Sequence, residues 1–258
     1  MARARRLRWI QLTSAGAEQL LPARAALRDV VVTNTRGIHA DAMADYALGV
    51  MVMLRWDFPR LLRAQAGRVW EPRLAVPLAG ATVGVVGLGA IGSEIARRAR
   101  AFGMHVIGIK RTPGGGEPGI EVVTAGRLRE VLPRCDFVVL AVPITPATRH
   151  LLGSAELAAM KPGACLVNIA RGPVVDEAAL VAALRAGRLG GAALDVFEEE
   201  PLPARHPLWS LPNVTLTPHV AGEPAHYARR VADVFLDNLG RWRRGEPLRN
   251  VVDFERGC

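Results

Sequence analysis

The stretch GVVGLGAIGSE, residues 84–94, carries Gly87, Gly89 and Gly92 in the spacing G-x-G-x-x-G. Glycines so placed let a chain turn sharply after a strand, bring its backbone up to a pyrophosphate, and aim the free N–H groups of a helix N-terminus at the negative charge. The spacing alone is weak evidence. Its surroundings strengthen it: an apolar strand, ATVGVVG, runs into the turn, residues 90–103 have an amphipathic helical pattern, and HVIGI beyond them reads as a second strand. A dinucleotide-binding turn is therefore preferred over a glycine turn that is only tight.

The same alternation continues downstream. A helix near 124–132 precedes DFVVLAV, a short helix near 154–160 precedes ACLVNIA, a helix near 176–186 precedes GAALDV, and NVTLTP follows. Strand and helix alternating at this spacing imply parallel strands with crossover helices on both faces, a doubly wound α/β (Rossmann) sheet. Upstream, RWIQL and DVVVTN read as two strands of a smaller unit joined by a helix around Glu18. ADAMADYALGVMVML is apolar nearly all round, so a helix there must be covered on more than one side. Tyr227, Val231, Val234, Phe235, Asn238, Leu239 and Trp242 recur at helical spacing, and this last helix is expected to pack back onto the first unit. TPGGGEPG, residues 112–119, reads as a loop.

Composition narrows the function. The chain has 258 residues, half of them apolar, enough for a large core. Its longest apolar run, YALGVMVML, is far short of the roughly 20 residues that span a bilayer, so no membrane partner is expected. The net charge of +9 could mark a nucleic-acid partner, but Lys110 and Lys161 are the only lysines and the arginines are spread along the chain. The basic start, with arginines at 3, 5, 6 and 8, has no stacking platform of aromatics, and no nucleic acid is expected. Cys135, Cys165 and Cys258 show no disulfide or metal-ligand spacing. They fit a reducing, cytoplasmic setting with Cys135 and Cys165 as core fillers and no metal.

Polar residues gather where later strands end. Pro143 and Thr148 follow one strand, Arg171 the next, Asp195 and then Glu200 another, and His219 the last. Ligands bind outside the carboxyl ends of strands in an open α/β sheet, so these distant residues are expected in one crevice. A guanidinium at Arg171 suits a carboxylate with its forked donors. An imidazole at His219 can give a proton to a carbonyl oxygen or take one from a hydroxyl, and a neighbouring carboxylate would favour its charged form. Glu200 is the candidate neighbour, with Glu198 and Glu199 in competition. The other histidines, His39, His105, His150, His206 and His226, can be surface or packing residues. Where an NAD-binding unit ends its second strand with an acidic residue, this chain has Lys110-Arg111, which would attract a 2′-phosphate. NADP(H) is thus the expected cofactor, with NAD(H) possible.

Together GLGAIG, VPITPATRHLLG, NIARGPVVDEAAL, ALDVFEEEPLP and TPHVAG, in that order, resemble the D-isomer-specific 2-hydroxyacid dehydrogenases along nearly the whole chain. The resemblance, closest in style to hydroxypyruvate and glyoxylate reductases, implies a small 2-oxoacid or 2-hydroxyacid substrate, Arg171 as anchor, Glu200 as partner of the histidine, and His219 as acid/base. It implies Asp195 near the nicotinamide, with Gly87, Gly89, Ala90, Ile91, Gly92, Val142, Pro143, Thr148 and Ala170 lining the cofactor. Ala15 and Gly16 match a loop whose N–H groups hold the substrate carboxylate. A flavodoxin-like substrate domain is expected over 1–44 and 224–258, short at its N-terminus, and a dinucleotide-binding domain over 45–223, with a homodimer arm at about 45–75. The fold also occurs in cofactor-sensing corepressors, and a silent, truncated remnant is the third alternative.

Overall fold

A computed structural model of the chain describes residues 6–74, 76–112, 114 and 118–254. Cys258 and half of the loop read at 112–119 lie outside the described residues. Seven strands, β3 Thr82–Val86, β4 His105–Lys110, β5 Glu121–Thr124, β6 Phe137–Leu140, β7 Cys165–Asn168, β8 Gly191–Leu194 and β9 Val214–Leu216, form one sheet. Their order is β5-β4-β3-β6-β7-β8-β9, and every pairing is parallel. The chain builds outward from β3 in one direction, returns, and builds outward in the other. The strand order therefore reverses between β3 and β6, which opens a crevice at the carboxyl ends there.

Strand composition explains the layering. In β6, β7 and β8 every residue is buried, as both faces of a parallel sheet must be. Alternate side chains go to opposite cores. Val138, Leu140 and Leu166 meet Leu152, Leu157 and Leu180 around helices α5 Ser154–Ala159 and α6 Glu177–Arg185. Val139 and Val167 meet Leu48, Met51 and Ile95 on the other side, under helices α1 Ala40–Trp56 and α3 Ala90–Ala101. Here α1 lies across α3, β7 and β8. Ala44, Ala47, Ala96 and Ala99 have no exposed surface, so small residues let the two helices approach closely. This is the cover that the all-apolar pattern of α1 demands.

One strand and one helix differ from expectation. Sequence reading has no strand before the helix near 124, yet β5 forms there at the sheet edge. Only Val123 of its four residues is buried, so the apolar signal of a central strand is missing. The helix itself is three short pieces: a 3-10 turn at Ala125–Arg127, α4 Leu128–Val131, and a second 3-10 turn at Leu132–Arg134 containing Pro133.

The smaller unit is a parallel pair, β1 Trp9–Gln11 and β2 Val31–Thr33, joined by a 3-10 helix at Glu18–Leu27 that accommodates Pro22. The remaining helices are α2 Phe58–Ala66 and α7 Tyr227–Arg244. The latter returns to the first unit: Trp9 stacks between Phe235 at 5.6 Å and Trp242 at 5.8 Å. Asn238 is fully buried in this seam, donating to Gln11 Oε1 and the Arg249 carbonyl and accepting from the Arg249 N–H. Arg230 forks onto Asp41 at 2.6 and 2.7 Å and also donates to the Ile38 carbonyl, tying α7 to the start of α1.

Asn238→Ala removes three hydrogen bonds from this seam and is expected to cost about 1–3 kcal/mol, read as a lowered urea midpoint. The Arg230 hydrogen bond pushes the Asp41 carboxyl down to about 2 from its ordinary 3.8. A depressed carboxyl pKa means that the pair contributes fully above about pH 4 and is lost as pH falls towards 2. Asp41 is half exposed, so the contribution is at most about 1 kcal/mol. Arg230→Ala should remove that part of the acid sensitivity, measured as the thermal midpoint against pH.

Candidate active site

The crevice begins at the glycine turn. Gly87 has φ 99°, in the left-handed region, and a Cβ on it would stand 2.6 Å from the Ala141 carbonyl oxygen. A Cβ on Gly92 would collide with the Gly87 carbonyl oxygen, so only glycine lets α3 start this close to β3. Gly89 is different: a Cβ there meets nothing within 4 Å, and it caps α3 with no side-chain hydrogen bond. Two glycines close the turn while the third leaves the helix N-terminus approachable. That is the combination a pyrophosphate requires, with Ala90 and Ile91 in the first turn of α3. Lys110 ends β4, where its Nζ donates to the Gly114 carbonyl, and Arg111 beside it is exposed.

Beyond β6, Val142 packs against the glycine turn, and the Thr148 hydroxyl donates to the Pro143 carbonyl while accepting from the Thr145 N–H. Thr148 thus staples its own loop. At the end of β7, buried Asn168 accepts from the Ala170 N–H and donates to the Arg171 carbonyl, bending the chain where Arg171 leaves the carboxyl end of the sheet. Arg171 donates from Nη1 to the Ala170 carbonyl and from Nε to Glu18 Oε1 at 2.7 Å. Glu18 comes from the smaller unit, and its carboxyl lies below the ordinary range. Burial opposes that shift; the charge of Arg171, with a further contribution from His219, drives it. Arg171, beyond β7, and His219, beyond β9, both stand at the carboxyl end of the one parallel sheet. The loop of Ala15 and Gly16 forms the facing wall, fixed by Ser14 Oγ on the Gly16 carbonyl and by Asn34 on the Ala15 carbonyl.

His219 follows β9 with φ 56°, and its Nδ1 lies 2.8 Å from Glu200 Oε2. A carboxylate only accepts, so Nδ1 carries the proton and Nε2 is left to exchange one. Glu200 is itself held by the Phe197 N–H on its other oxygen. Of its two competitors, Glu198 pairs with His150 at 3.2 Å and Glu199 lies exposed. Three imidazoles thus have carboxylate partners, since His206 stands 3.0 Å from Glu177. What sets His219 apart is its place at the strand ends.

Asp195 is buried to 1% exposure, and its carboxylate accepts from Thr217 Oγ1 at 2.6 Å and from the Val220 and Ala221 N–H groups. Thr217 spends its one proton on Asp195, so the Tyr46 hydroxyl, 2.7 Å away, must donate to it. Burial pushes the Tyr46 phenol up to about 12, leaving it a donor at any working pH. The residue expected beside the nicotinamide is also the clasp of the segment that carries His219. Sequence reading misses Tyr46, Asn168 and the Glu18 contact. Asn168 as the first polar residue after three apolar ones was a usable signal, whereas the other two depend on folding.

A family model described as D-isomer specific 2-hydroxyacid dehydrogenase, NAD binding domain, matches residues 48–221. A glyoxylate reductase of Korarchaeum cryptofilum is 38% identical, over 98% of this chain and 78% of its own. Two solved structures align closely. A D-isomer specific 2-hydroxyacid dehydrogenase of Xanthobacter autotrophicus Py2, in complex with NADPH and MES, has a TM-score of 0.92 at 39% identity, over 100% of this chain and 81% of that one. An NADPH-dependent glyoxylate/hydroxypyruvate reductase of Sinorhizobium meliloti, in complex with NADP and sulfate, has a TM-score of 0.90 at 30% identity, over 98% of this chain and 80% of that one. The chain belongs to the D-isomer specific 2-hydroxyacid dehydrogenase family.

Proposed function

We propose that the protein reduces small 2-oxoacids of the glyoxylate and hydroxypyruvate class to D-2-hydroxyacids, reversibly, with NADP(H) preferred over NAD(H). The observation that carries this reading is the His219–Glu200 pair standing with the Arg171 guanidinium beyond the carboxyl ends of one parallel sheet. The nicotinamide cofactor supplies or accepts the hydride when bound, so the protein's task is to hold, orient and protonate. Gly87, Gly89, Ala90, Ile91 and Gly92 would hold the pyrophosphate, Lys110 and Arg111 the 2′-phosphate, and Val142, Pro143, Thr148, Ala170 and Asp195 the rest.

Arg171 and the N–H groups of Ala15 and Gly16 hold the substrate carboxylate, which fixes the neighbouring carbonyl. His219 Nε2 gives that carbonyl oxygen its proton in reduction and takes it back in oxidation. Glu200 keeps the ring in the right tautomer and balances its charge. The relatives quoted above are named as enzymes, which favours turnover over cofactor sensing or a silent remnant.

The reading divides the chain into 1–44 with 224–258 for substrate and 45–223 for the cofactor. It also favours a homodimer formed through the arm after α1, because Trp70 and Leu74 there are more than nine-tenths exposed. A cytoplasmic setting suits Cys135 and Cys165, free thiols that burial pushes up to about 12. No helix among the described residues is long and apolar enough to cross a membrane.

His219→Gln is expected to lower kcat for glyoxylate by about 100-fold or more while the NADPH Kd, read by fluorescence, stays put. An equal loss in both would remove the proton-transfer role. Replacing Lys110 and Arg111 together by alanine should shift kcat/KM from NADPH towards NADH by roughly tenfold or more, the value of a charge-assisted contact. An unchanged ratio would sink the NADP preference.

A further inference from the structure

We propose that Glu18 is a positioning residue for the substrate anchor: its carboxylate grips the Arg171 guanidinium along the Nε edge and keeps the Nη2 end turned to the Ala15–Gly16 loop. This rests on the reading of Arg171 as that anchor. Three observations carry it. Arg171 Nε donates to Glu18 Oε1 at 2.7 Å, and Nη1 is taken by the Ala170 carbonyl, so two sides of the fork are fixed by the protein itself. A Cβ on Gly16 would collide with both Arg171 Nη2 and Glu18 Oε2, so that end of the pair is pressed directly on the loop. The two residues are 153 positions apart and come from opposite walls of the cleft, so the contact also sets the distance between them.

A long arginine free to rotate must be ordered each time it takes a ligand, and a fixed guanidinium has that ordering already done. Both side chains keep about a third of their surface in solvent (31% and 34%), where an ion pair adds little stability. Orientation, then, is what the contact supplies. The glycine follows from the same arrangement, because any side chain at position 16 would wedge the pair off the loop.

The test compares wild type with Glu18→Gln and Glu18→Asp. Glu18→Gln should raise KM for glyoxylate about tenfold with a much smaller change in kcat, leave the NADPH Kd unchanged, and move the thermal midpoint by no more than about 3 °C. Glu18→Asp, which keeps the charge, should recover most of the loss. A KM that stays the same or falls in Glu18→Gln overturns the proposal, a fall showing that Glu18 competes with the substrate for Arg171. Oxalate binding to the NADPH complex, followed by calorimetry, decides without turnover: the same tenfold weakening in Glu18→Gln is expected, and equal affinities overturn the role. If wild type reduces no 2-oxoacid, the proposed function fails by itself, and the oxalate comparison still judges Glu18.

Discussion

A parallel strand covered by helices on both faces has nowhere along its length to keep a charge. In β6, β7 and β8 all four residues are buried, and only the chain beyond the last ladder bond reaches solvent. Chemistry is thereby forced to the ends, and because parallel strands all point the same way, it is forced to the same end. The cleft is thus a consequence of core packing. Asn168 and Asp195 stand at that margin, each about 1% exposed, and both are polar. Buried polar groups persist only when their bonding capacity is met, and here each meets it by fixing the backbone that departs from its strand.

The consequences differ between the two. Asn168 bridges the Ala170 N–H and the Arg171 carbonyl, so it shapes a turn of three residues. Asp195 reaches another segment altogether and draws Thr217, Val220 and Ala221 to one carboxylate. Tyr46 extends that clasp to α1, which is also the helix that Arg230 ties to α7. A displacement of α1 would therefore reach the His219 segment through two hydrogen bonds and the smaller unit through one ion pair. Helix packing and site geometry share the same few contacts.

Much of this was legible because periodicity and spacing are local. The glycine turn announced itself through residues within eleven positions, and the central strands through unbroken apolar runs. β5 was missed because an edge strand with one buried valine has no such run. The site residues at the strand ends could be located from where strands stop, and Glu200 could be named beside His219 only as one of three candidates, but the partner of Arg171 could not be found. Glu18 sits in a 3-10 helix of the other unit and meets Arg171 only after both walls have folded, so no spacing rule finds it.

The three glutamates at 198–200 show the limit most sharply. As neighbours in sequence they are chemically equal, and each could serve an imidazole. In irregular backbone, however, successive side chains point in different directions. Glu198 turns towards His150 and the start of α6, Glu199 to solvent, and Glu200 back over the Phe197 N–H to His219. The Phe197 bond is decisive, because it holds one carboxylate oxygen to its own loop and leaves the other free to meet a ring arriving from β9. Selection among equal residues is made by a backbone amide, a group every residue carries and no composition reveals.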